Sequence, residues 1–243
     1  MRLIQLIFLA TSLTLGAPSS WAARPYAPKL ARILAAQVFA PTGFDDNDNA
    51  QLIVHGTLMN TCYKTVPTNF QVNREKHTIT IQAQALVYRY DFCVAMDVPF
   101  TDVIDLGPLP SGQYKVYQQD AHENMIFLTT LPVVKATTTA PDDFVYAPVT
   151  TVRVNHSTTG SATAVLSGTL PSNCMNLDHV QLVNKDAHIV ELLPILTISN
   201  PLNCKGFPVP FETTVSLPSL PAGDSLVYVR SLSGQSTSVV ERF

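Results

Sequence analysis

Residues 56–62 and 168–174 both begin Gly-Thr-Leu and end in cysteine, the first of a series of landmarks that recur along the chain. Val72-Asn73-Arg74-Glu75 with His77 is matched by Val183-Asn184-Lys185-Asp186 with His188. Pro99-Phe100 is matched by Pro210-Phe211, and Val116-Tyr117 by Val227-Tyr228. Leu106, Leu109, Pro110 and Gly112 answer Leu217, Leu220, Pro221 and Gly223, and Val38-Phe39-Ala40-Pro41 is echoed by Val145-Tyr146-Ala147-Pro148. The offset is 112 at Gly56 and Cys62 and 111 from Val72 onward, so one net deletion relates these two stretches. Two copies are too few for a solenoid, which needs ~3 or more repeats to bury its faces. They fit two tandem domains, each near the common size of ~100 residues. The expected units are 38–134 and 145–243, after an N-terminal segment at 23–37. Between them, 135–144 is a Thr/Pro linker of the semi-rigid kind.

Inside each unit the hydrophobic period is two. Thr78-Ile79-Thr80-Ile81, Gln113 to Tyr117 and Thr151 to Val154 alternate as half-buried strands do. Leu109-Pro110-Ser111-Gly112 and Leu220-Pro221-Ala222-Gly223 carry Pro and Gly where a type I turn takes them. Closing strands follow near Met125 to Leu128 and Thr237 to Val240. The expected fold is therefore all-β, two tandem antiparallel β-sandwich modules from an internal duplication. One segment departs from the pattern: Leu30, Ile33 and Leu34 within Pro28 to Ala36 have helical spacing and favour a short helix over a first strand.

Met1-Arg2, an apolar run from Leu3 to Ala17 and the small residues of Ser20-Trp21-Ala22 have the form of a cleaved export signal spanning 1–22. No later run approaches the ~18 apolar residues of a membrane-spanning helix, so a chain exported to the periplasm or secreted is expected. Eighteen acidic against 15 basic residues and no Lys/Arg run exclude a nucleic-acid footprint. In an oxidising compartment four cysteines read as disulfides, and the repeat selects Cys62 with Cys93 and Cys174 with Cys204. No Cys-x-x-Cys unit speaks for zinc or redox chemistry.

The Leu-x-x-Leu-Pro-x-Gly element at 106–112 and 217–223, each time followed by a Tyr/Val strand, resembles the penultimate strand of immunoglobulin-like and transthyretin-like modules of exported bacterial proteins. That resemblance implies a sandwich and a binding role, and carries over no functional residue. The sole Trp is Trp21, so the Cys…Trp…Cys core of antibody domains is missing.

Three groups of residues are candidates for chemistry. Asp45-Asp46-Asn47-Asp48-Asn49 resembles the Asp-x-Asn-Asp-Asn element of cadherin linkers, and closely spaced oxygens of this kind suit Ca²⁺, with Asp45, Asp46 and Asp48 as the ligands. The same residues are also favoured turn formers. His77 and His188 are equivalent in the repeat, and a polar turn shared by both units explains that without chemistry. No Gly-x-Ser-x-Gly elbow is present, and no catalytic set or organic cofactor is expected. The function expected is an exported, non-enzymatic binding protein that contacts a protein or glycan through sandwich loops or the groove between units. The alternatives are an inhibitor of an extracellular hydrolase, a hydrolase with an interdomain site, and a structural envelope component.

Overall fold

Alternating sequences give strands, and here they give almost nothing else. The structure is a computed structural model and describes residues 27–243 apart from residues 91, 121, 141, 159, 200–203 and 205; the expected signal at 1–22 lies outside the described residues. The first module contains β1 (Lys29–Arg32), β2 (Gln37–Phe39), β3 (Phe44–Asp45), β4 (Ala50–Leu58), β5 (Tyr63–Asn73), β6 (Thr78–Val87), β7 (Val98–Gly107), β8 (Gly112–Gln119) and β9 (Met125–Val134). The second contains β10 (Val149–His156), β11 (Ala162–Leu170), β12 (Met175–Asp186), β13 (Ile189–Ile198), β14 (Val209–Ser216), β15 (Asp224–Ser231) and β16 (Gln235–Arg242).

Each module is two sheets face to face. In the first, β2-β4-β7 packs on a sheet ordered β1-β6-β8-β9-β3, with β5 on the other edge of β6. In the second, β10-β11-β14 packs on β12-β13-β15-β16. Most neighbours are antiparallel, as expected, but β6 and β8 run parallel, and β13 and β15 repeat that pairing. A further parallel pair joins β3 to β9.

The landmarks of the sequence mark places where the two modules solve one packing problem the same way. Gly56 lies opposite Phe100 and Gly168 opposite Phe211, each in its antiparallel ladder. A Cβ on Gly56 or Gly168 would come within 2.8 or 2.9 Å of the partner ring, so glycine is what lets the aromatic lie across the strand. Lys115 N–H donates to the His77 carbonyl at 2.9 Å, and Leu226 N–H donates to the His188 carbonyl at 2.8 Å. One landmark behaves otherwise. Val38 pairs with Val54 on β4, whereas Tyr146 bridges to Ile195 on β13, so the two Val-aromatic-Ala-Pro tetrapeptides occupy different places.

The expected helix over Pro28 to Ala36 is a correction. Lys29–Arg32 forms β1, pairing with Gln84 to Val87 of β6. On that edge β8 covers only Thr78 to Ile81, so the rest of β6 would leave its N–H and C=O groups unpaired. Satisfying them outweighs a local helical spacing that leaves Leu30 and Leu34 exposed.

The core does not stop at the module boundary. Ile189, Leu226 and Tyr228 belong to the cluster built on Leu52, Ile53, Ile79, Ile81, Tyr114 and Leu131 of the first module, while Val227 and Val229 belong to the second module's own core. Alternate residues of β15 thus face opposite ways into two cores. β4 is its counterpart across the seam, and both strands are buried almost end to end.

Candidate functional site

The Asp45–Asn49 loop connects β3 to β4 at the seam between the modules. Each of its three carboxylates accepts a hydrogen bond from the protein itself. Asp45 accepts from Asn47 N–H at 3.3 Å, Asp46 from Ala136 N–H at 2.9 Å, and Asp48 from Asp142 N–H at 3.2 Å. Asn47 Nδ2 donates to the carbonyls of Thr138 and Ala140, at 3.1 Å each, so the loop grips the linker. Asn49 Nδ2 reaches the Gly234 carbonyl at 3.1 Å, which fastens it to the second module.

The cation at this junction is Arg230. Its Nη1 lies 3.2 Å from Asp48 Oδ2, and both side chains are over nine-tenths buried. Nη2 donates to the Gly43 carbonyl at 2.6 Å, and the guanidinium stands 4.7 Å over the Phe44 ring. Thr42 donates both its N–H and its hydroxyl to Glu191, and Tyr228 donates its hydroxyl to Gln51. The three residues read as calcium ligands thus each bond a different backbone N–H, and a buried guanidinium pairs with Asp48. Among the described residues no group of three or more His, Cys, Asp or Glu side chains is placed to hold a metal ion. Burial raises the Asp45 carboxyl above the usual range, with repulsion from Asp48, Asp143 and Asp46 adding to it. Burial likewise raises Asp142, helped by Asp48 and opposed by Arg230. At the other end of the seam His55 Nε2 lies 3.8 Å from Asp224 and burial lowers its pKa, with Asp224 working against the shift.

His77 and His188 sit at the same turn of their modules, and each packs against the glycine of the Leu-Pro-x-Gly turn. The His77 ring would lie 2.9 Å from a Cβ on Gly112, and stands edge-on to Tyr114 at 4.9 Å. His188 Nδ1 meets Ser225 Oγ at 3.1 Å, and its N–H donates to Asp186. The two rings hold turns, in different modules and apart from the acidic loop.

Both expected disulfides are present, Cys62–Cys93 and Cys174–Cys204, with Cα separations of 5.5 and 5.4 Å. The first anchors a segment, 88–97, whose described residues form no strand. Tyr90, Phe92, Val94 and Met96 are all exposed there, Phe92 by 79%, and Met59 of the neighbouring turn joins them. The backbone beneath is held firmly. Thr61 N–H donates to the Val94 carbonyl at 3.1 Å, Val94 N–H to Thr61 Oγ1 at 3.0 Å, and Tyr88 N–H to the Cys62 carbonyl at 2.9 Å. Tyr88 and Tyr90 stack with centroids 5.5 Å apart, and Lys64 lies over Tyr88. Sequence reasoning passed over this segment. Its signal was four apolar side chains at alternate positions around Cys93 that the strand pattern did not absorb.

The family model of the ORF11 beta-sandwich domain matches residues 52–127, from within β4 into β9. No curated protein and no solved structure matches the chain.

Proposed function

We propose that the chain is an exported, non-enzymatic interaction protein, two duplicated sandwich modules locked into one body, which captures a protein partner with the disulfide-anchored loop 88–97. Two disulfides are consistent with export, and no helix among the described residues is long and apolar enough to cross a membrane. The leader at 1–22 and the units 38–134 and 145–243 remain part of this reading, on the strength of their sequence signatures.

The observation that carries it is the exposure of Tyr90, Phe92, Val94 and Met96 on a tethered backbone. Aromatic and Met side chains are what buried interface centres are made of, and exposing several together costs solubility unless a partner covers them. A loop already fixed by a disulfide and by the paired Val94–Thr61 bonds loses little entropy on binding. The same rigidity favours a second reading, an inhibitor whose loop fills the cleft of an extracellular hydrolase. A photo-cross-linking residue at Phe92, expressed in the native host, should capture one recurrent protein. A Y90S/F92S/M96S variant should lose that partner while keeping both disulfides and its melting temperature. Capture unchanged by the triple substitution would refute the loop's role. A hydrolase as the partner, inhibited by the purified chain, selects the second reading.

A further inference from the structure

We propose that the outer face of β5, β6 and β8 binds a neutral oligosaccharide, whose hydroxyls are read by a ladder of amides: Asn69, Gln84, Gln82 and Gln119. This site is separate from the loop and needs only that the chain be a binding protein.

The ladder is continuous across three strands. Asn69 Nδ2 donates to Gln84 Oε1 at 3.4 Å, Gln84 Nε2 to Gln82 Oε1 at 3.0 Å, and Gln82 Nε2 to Gln119 Oε1 at 3.3 Å. A primary amide has two N–H groups and two lone pairs, and each link uses one of each. Donors and acceptors therefore stay side by side along the face, the pattern that vicinal hydroxyls complete. A groove of about 310 Å³ runs over it, lined by Asn69, Phe70, Gln71, Thr80, Gln82 and Gln119, a volume at the low end for ligand sites. A wider hollow of about 630 Å³ continues it past Gln71 and Thr80 towards Asn73 and Thr78, where Arg74, Glu75 and Lys76 also line it. Thr80 pairs with Tyr117, whose ring meets Phe127 edge-on at 5.7 Å, so an aromatic surface borders the amides.

The second module shows what this face does when its residues differ. In the parallel ladder Thr80 pairs with Tyr117, and at the equivalent place Glu191 pairs with Tyr228. At the common offset of 111, Leu193 and Arg230 stand where Gln82 and Gln119 stand. Those second-module residues hold the junction, Glu191 on Thr42, Tyr228 on Gln51 and Arg230 on Asp48. The same face is thus a protein-binding surface in one module and, in the other, an open amide surface whose charged residues, Arg74, Glu75 and Lys76, lie at the far end. The smaller groove has no Lys, Arg, Asp or Glu in its lining, which disfavours a nucleic acid or an anionic glycan. Its lining, amides and a hydroxyl with Phe70 alone as an aromatic, is more polar than the aromatic- and Met-rich centre of a protein interface. A neutral polyhydroxylated ligand is what remains.

The test uses the disulfide-bonded chain, nitrogen-15 labelled and titrated with cellohexaose, maltohexaose, chitohexaose and mannohexaose, with a sulfated heparin hexasaccharide as the ionic counter-probe. At least one neutral probe should shift the side-chain NH₂ resonances of Asn69, Gln82, Gln84 and Gln119 saturably. A Q82A/Q119A variant should weaken that binding by about tenfold or more, with unchanged melting and unchanged capture through Phe92. Q82E, which keeps the side chain's size and charges the ladder, should weaken it too. The proposal is overturned if no neutral probe shifts these resonances at millimolar concentration, if only the sulfated probe does, or if the variants bind as tightly as the parent. Because Phe92 capture is read separately, failure of the loop proposal leaves this result interpretable.

Discussion

Arg230 shows how much one side chain can hold at a seam. Its guanidinium satisfies Asp48, the Gly43 carbonyl and the Phe44 ring together, in a site from which water is nearly excluded. Such a pair adds little net stability over apolar residues of the same shape, but breaking it strands a charge. Arg230→Met should therefore lower the unfolding free energy by about 3–5 kcal/mol in urea. Adding Asp48→Asn should recover part of that loss, because no carboxylate is then left buried alone. Equal stability of the single and double variants would show that the charge on Asp48 is not what the arginine neutralises. Glycine positions give a second comparison. A Cβ at Gly168 would sit 2.0 Å from the Pro148 carbonyl oxygen, a backbone atom, whereas at Gly56 the closest atom is a Phe100 ring carbon at 2.8 Å. Rings give way more easily than backbone, so Gly168→Ala should cost more than Gly56→Ala, which overpacking places at about 1–3 kcal/mol. Thermal melts of the two variants order them directly.

Among the elements, the legible ones were those whose partners lie nearby or recur. Alternation at Thr78–Ile81 and Gln113–Tyr117 gave β6 and β8, and the spacing of cysteines gave both disulfides. What alternation does not encode is the direction of the neighbour, so the parallel pairing of β6 with β8 and β13 with β15 was invisible. β1 was misread because its cause is the open edge of β6, set by strands distant in sequence. At the site, the acidic loop stood out by composition, whereas its partner Arg230 is 182 residues away and looks like any charge ending a strand. Loop 88–97 places Tyr90, Phe92, Val94 and Met96 at every second position as a strand would, so only its placement beside the first disulfide shows that its described residues form no strand and that these side chains are exposed. That disulfide supports a prediction at this scale. Cys62 and Cys93 close a loop of 31 residues, worth about 3–4 kcal/mol in the chain-entropy account. Cys62→Ala with Cys93→Ala should lower stability by that order and loosen the loop, so capture through Phe92 should weaken more than the loss of folded protein explains. Capture falling only in step with the folded fraction would mean that the bridge does not preorganise the loop.

On the scale of the whole molecule, the two modules share a core, and the groups at their seam titrate in opposite senses. Burial lowers the His55 pKa below the ordinary 6.5, with Asp224 opposing the shift. Between those two values the unfolded chain binds the proton that the folded chain refuses, so stability falls as pH drops below 6.5. Asp45 and Asp142 have pKa values raised above 3.8 by burial. Just above 3.8 it is the folded chain that holds the extra protons, so their contribution to stability rises as pH falls through that window. Acidification should first weaken the seam through His55 and then restore part of it through the two carboxyls. Because Leu226 and Tyr228 are buried with residues of the first module, the seam cannot open without exposing core, and global unfolding should report both effects. Urea unfolding between pH 7 and pH 4 should therefore show a dip. His55→Gln should remove the descending limb, since glutamine keeps a hydrogen-bonding group near Thr101 but takes up no proton. Asp142→Asn should remove much of the recovery, since asparagine can still accept from Gly234 N–H and has nothing to titrate. A monotonic profile in the parent chain, or one that neither substitution alters, would place the acid response outside the seam.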